Sequence, residues 1–147
     1  MKDIVIKRLD YLCQTIPQLL ISMDDEEFSL KPDSTKWSKK EIMGHLIDSA
    51  TNNHQRFVRI QFEETPVINY DQNNWNKFNF YQQINGQQII SFWTIYNRQL
   101  AALIKLIPEE NLKRECSVGD KVFTLGFLIA DYLEHLEHHL RQVVIGI

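Results

Sequence analysis

Four stretches of this chain repeat apolar residues at steps of three and four, a periodicity that restricts the chain to packed helices. Ile6, Leu9, Leu12, Ile16 and Leu20 place a first helix over 2–22, with Pro17 expected to kink it or end it early. Ser38-Lys39-Lys40-Glu41 reads as a capping box that starts a second helix, continued by Leu46, Ala50, Phe57 and Ile60. Trp37, just before the cap, is placed to staple onto Ile42 or Met43. Ile89, Trp93, Tyr96, Leu100 and Leu103 mark a third helix over 84–107, stopped by Pro108. Thr124 can cap a fourth over 125–145, ahead of Gly146.

The expected fold class is therefore all-α, a four-helix bundle forming a single domain over 1–147, a normal domain length. Two features interrupt the helices. Residues 63–83 follow neither period yet hold Tyr70, Trp75, Phe78, Phe80 and Tyr81, so they read as one long packed loop able to wall a pocket. Residues 114–124 surround Gly119-Asp120 with β-prone side chains and suggest a small hairpin before the last helix.

Composition removes several function classes. Sixteen Lys and Arg against nineteen Asp and Glu leave a net charge of −3, which offers no basic footprint for nucleic acid. The longest charge-free apolar run, 122–130, is less than half a bilayer span, so no membrane partner is expected. Asp3, Lys7, Arg8 and Asp10 break up the start of the chain, unlike a secretory signal, and Cys13 and Cys116 read as two free thiols. A cytoplasmic location is expected. No Cys-x-x-Cys pair and no Gly-rich phosphate loop occur.

The chemistry is concentrated in His45, His54, His135, His138 and His139. Leu125, Leu128, Tyr132, His135, His139 and Val143 form one stripe of the last helix, otherwise made of core-type side chains. Two imidazoles at i, i+4 on one face have the spacing with which a helix grips a metal ion; the alternative is one histidine hydrogen-bonded in the core and the other at its boundary. His138 points about 100° away, beside Glu134 and Glu137, either exposed or supporting the site from outside. For a third ligand the second helix offers His45 or His54. Nine residues rotate a helix by about 180° net and advance it about 13 Å, so the two cannot serve one site. His45, which borders the inward face, is the better choice; His54 reads as a surface residue. Asp48, one turn after His45, and Asp131, one turn before His135, are the carboxylates that could accept a ligating histidine's second N–H.

These residues carry a resemblance. Trp37-Ser38, Glu41, His45-Leu46, Asp48-Ser49, Asn52-Asn53-His54-Gln55-Arg56-Phe57, Tyr70-Asp71-Gln72, Asp131-Tyr132, His135, His138-His139 and Arg141-Gln142 together resemble the DinB/YfiT-like superfamily, over 37–142. The resemblance implies an up-down-down-up bundle in which His45, His135 and His139 hold a divalent metal ion, nickel or zinc, and it implies a homodimer. Members of that superfamily include transferases and isomerases that use bacillithiol, mycothiol or glutathione. It thus implies a small-molecule substrate and a low-molecular-weight thiol as co-substrate.

Three neutral imidazoles with no carboxylate leave a metal its full charge and an open position, which is the catalytic rather than the structural pattern. Such an ion acidifies a water or a thiol without needing a nearby base. The first expectation is accordingly a metal-dependent thiol transferase; the alternatives are a metal-dependent hydrolase or a non-catalytic metal-binding module. A transferase for an acidic thiol calls for cationic side chains at the mouth, where Arg56, Arg59 and Arg141 are the available arginines. A hydrolase calls for a carboxylate that can take a proton from water.

Overall fold

The computed structural model describes residues Met1–Ile147. Its elements are α1 (Lys2–Leu20), α2 (Asp25–Ser29), α3 (Lys39–Arg59), α4 (Gln72–Phe78), α5 (Gly86–Leu106), β1 (Glu115–Val118), β2 (Lys121–Thr124) and α6 (Leu125–Val143). The four long helices are those read from periodicity. Pro17 does not end α1, which continues to Leu20. Helix α6 stops at Val143, two residues before the expected end.

Local chemistry sets the boundaries that matter for the site. The capping box at the start of α3 is complete: Glu41 N–H donates to Ser38 Oγ at 3.0 Å, and Ser38 N–H donates to Glu41 Oε1 at 3.0 Å. Thr124 Oγ1 accepts from Phe127 N–H at 3.1 Å and starts α6. The expected long loop contains structure of its own. Asp71 caps α4 by accepting from Asn74 N–H at 3.1 Å, and a 3-10 turn follows at Tyr81–Gln83. With seven residues, α4 is too short to show a helical period, which is why its aromatic and amide residues read as irregular. The hairpin forms with Val118 opposite Lys121, so Gly119 and Asp120 make a two-residue turn, Gly119 at φ +63°.

Side-chain contacts between helices give the directions. Lys2 at the start of α1 donates to Ile107 O beyond the end of α5, so α1 and α5 run antiparallel. Arg8 pairs with Glu137, and Met1 lies against Gly126, so α1 and α6 run parallel. His45, early in α3, meets His135, late in α6, and these two run antiparallel. The order is up-down-down-up, the long crossing from α3 to α5 returning the chain to the same end of the bundle. Leu9, Leu12 and Ile16 of α1, Met43, Leu46 and Phe57 of α3, Trp93 and Leu100 of α5, and Ile129, Tyr132 and Leu136 of α6 fill one continuous core. No helix is long and apolar enough to cross a membrane.

Candidate metal centre

The antiparallel pairing of α3 with α6 brings three histidines together. His45, His135 and His139 offer ring nitrogens that all lie within 4.8 Å of one another. His45 Nε2 and His135 Nε2 are 3.1 Å apart. His45 is fully buried, whereas His135 and His139 are half-buried. On α6 the deepest line runs through Tyr132, Leu136, Leu140 and Val143, so the two histidines edge the apolar stripe rather than sit in its middle. Leu136 and Leu140, one residue further round the helix, take the central positions, which leaves the imidazoles an outlet toward solvent.

Burial and mutual proximity hold the cluster neutral. Burial, followed by the charges that His135 and His139 would carry, pushes His45 down to about 3. His135 is pushed to about 4 by burial, then by His139 and His138. His139 is lowered by burial and by His138, against the contrary effect of Gln142. Each ring therefore keeps a lone pair at neutral pH. His139 Nδ1–H donates to Gln142 Oε1 at 3.0 Å, which leaves its Nε2 lone pair free. Trp37 lies against His45 with ring centroids 4.8 Å apart and shields it on one side.

The donor set fits a divalent ion. Two nitrogens at Zn–N distances near 2.0–2.1 Å are separated by about 2.9–3.4 Å for angles from right-angled to tetrahedral. The His45–His135 separation of 3.1 Å falls inside that interval. Facing lone pairs at that distance repel unless a proton or a cation lies between them. Nδ1 of His45 is buried without a partner, so the proton left there by a lone pair on Nε2 is not held by any hydrogen bond.

The other sequence candidates lie elsewhere. His54 is on the α5 side of α3, where its Nδ1 meets the Tyr96 hydroxyl at 2.8 Å. His138 is exposed, its ring centroid 5.0 Å from that of His139. Neither expected carboxylate hydrogen-bonds a histidine. Asp131 is exposed, and Asp48 is turned toward the crossing segment, where its Oδ1 accepts from Asn79 Nδ2 at 2.9 Å and from the Tyr81 hydroxyl. Three residues leave Asp48 within about 60° of His45 around the helix, and Asn79 and Tyr81 take up its Oδ1 instead. Gln142 and Trp37 are the contacts that residue patterns did not single out. Gln142 stands at i+3 from His139, which is a legible signal; the contact of Trp37 with His45 has none, because Trp37 precedes the helix and its direction is set by packing.

Fold and cluster together define a four-helix bundle with a histidine centre of metal-binding composition. The sequence profile of the DinB superfamily matches residues 8–143. The chain belongs to that superfamily. Three curated relatives are YfiT of Bacillus subtilis, BH0277 of Halalkalibacterium halodurans and OB0413 of Oceanobacillus iheyensis, each provisionally named a metal-dependent hydrolase. YfiT is 23% identical over 145 residues, covering 97% of this chain and 82% of its own. BH0277 is 25% identical over 146 residues, covering 94% and 81%. OB0413 is 24% identical over 151 residues, covering 97% and 83%. The solved YfiT structure, described as an unusual four-helix bundle, superposes with a TM-score of 0.87, covering 97% of this chain and 83% of that one.

Proposed function

We propose that the protein is a metal-dependent hydrolase of a small molecule, with His45, His135 and His139 as the ligands. The convergence of three neutral imidazoles, without a fourth protein ligand, carries this reading. A divalent ion held there supplies Lewis acidity, polarising a carbonyl and acidifying water. The chain's own residues do the rest. His45 anchors the centre from the buried side, Trp37 excludes water from that flank, and Gln142 fixes the proton of His139 on Nδ1.

The arginines favour hydrolysis over transfer to an acidic thiol. Arg56 lies about 16 Å along α3 from His45 and is spent on Ile68 O and Asn53 Oδ1. Arg59 is paired with Glu63 at 2.6 Å, and Arg141 projects about 200° around α6 from His139. No cationic mouth forms at the histidines.

The test is elemental analysis followed by assays of amide and ester panels, with and without added thiol, on metal-loaded, metal-free and His139→Ala protein. Metal-dependent turnover that needs no thiol supports hydrolysis. Turnover only with thiol restores the transferase reading. Equal background rates in all three forms leave a binding module.

A further inference from the structure

A second site lies on the α5 side of α3, away from the histidines. A cavity of about 280 Å³ opens between α3, the start of α5, the end of α4 and the 3-10 turn, lined among others by Asp48, Thr51, Trp75, Asn79, Tyr81 and Phe92. Asp48 is 1% exposed. Its Oδ1 already accepts from Asn79 and Tyr81, while Oδ2 is buried with no partner. Asp48 belongs to none of the protein's ion pairs. Burial raises its pKa to about 6 against the lowering effect of those two hydrogen bonds, so the carboxylate is ionised at neutral pH. A buried anion without a counter-charge is rare, because desolvation is normally offset by a cationic partner.

The fold supplies no such partner, and the chemistry of the walls describes one that a ligand could bring. We propose that this cavity binds a small organic cation, a primary ammonium on an aromatic or aliphatic body, with Asp48 as its anchor. One free carboxylate oxygen suits a single ammonium contact; a guanidinium would want both oxygens, and Oδ1 is already occupied twice. A hard metal cation would need several oxygen ligands, and the cavity holds one carboxylate. Trp75, Tyr81 and Phe92 provide the faces that attract an ammonium and pack its apolar body. The volume, at the small end for ligand sites, limits the guest to a compact molecule.

The test titrates phenethylammonium and its neutral counterpart 2-phenylethanol into the purified protein while amide shifts are followed by two-dimensional NMR. The cation should shift residues lining the cavity and bind at least about tenfold more tightly than the alcohol. Asp48→Asn should remove that preference. Thr51→Phe, which fills the cavity and keeps the carboxylate, should abolish binding of both probes. Equal affinity for cation and alcohol in the wild type, shifts that map away from the cavity, or no saturable shift at millimolar cation would each overturn the proposal. The readout does not involve the histidines, so the result is independent of the metal reading.

Discussion

Gly44→Ala is an unusual substitution here, because helix propensity and packing predict opposite signs. Gly44 lies inside α3, next to His45. Replacing a helical glycine with alanine normally stabilises by about 1 kcal/mol. Here an added Cβ would collide with Cδ2 and Cγ of the Tyr81 ring, well inside contact distance. The ring cannot swing aside freely, since Tyr81 is buried and its hydroxyl is held by Asp48. Overpacking costs about 1–3 kcal/mol. Loss of a hydrogen bond to an ionised carboxylate costs about 1.5–3 kcal/mol more. Set against the propensity gain, the net destabilisation is about 3 kcal/mol. Urea denaturation followed by circular dichroism, with chelator present so that metal occupancy does not enter, measures it as a lowered midpoint. The same substitution in a Tyr81→Ala background should change sign and stabilise by about 1 kcal/mol. A Gly44→Ala protein as stable as wild type, or an equal effect in both backgrounds, would refute the close packing of Tyr81 on α3.

The remaining expectations concern the two sites. His45→Ala and His139→Ala should lose most bound metal by elemental analysis while His54→Ala and His138→Ala keep it; an empty site in His54→Ala would show that α3 contributes His54 rather than His45. Chelation should lower the melting temperature, because an ion at a hundredfold excess over its Kd adds about 2.7 kcal/mol to the folded state; an unchanged melt would indicate a merely packed histidine cluster. Gln142→Leu should weaken metal affinity by about 10–100-fold in a competition titration, since it frees the His139 ring; unchanged affinity would remove Gln142 from the centre. The Asp48 carboxyl, raised from 3.8 to about 6 and facing Tyr70, Tyr81 and Asn79, binds its proton more tightly folded than unfolded. Its contribution to stability is therefore present below about pH 4, falls as pH rises through about 6, and costs about 3 kcal/mol above that. Asp48→Asn should gain on wild type by up to that amount between pH 4 and pH 7 in denaturation curves; a constant difference would show that burial does not perturb this group.

Several elements of the site were legible because they rest on contacts within a few residues of one another. The capping box at Ser38 and the threonine cap at Thr124 begin α3 and α6, and these starts fix which way His45, His135 and His139 face. The i, i+4 pair and the half-turn between His45 and His54 follow from the helical repeat alone. Even α4 had a local signal in the Asp71 cap, hidden by a helix only seven residues long.

Tertiary structure decided everything that depends on which segments meet. His45 and His135 stand 90 residues apart in the chain and 3.1 Å apart in space, a meeting that requires α3 and α6 to run antiparallel at matched depth. No periodicity encodes that depth, because it depends on how the side chains of two helices interlock. Tyr81 reaches Asp48 across 33 residues and rests where Gly44 lacks a side chain, taking up a carboxylate that spacing placed beside His45. Spacing specifies the direction of a side chain about its own axis, and packing between axes determines what that side chain meets.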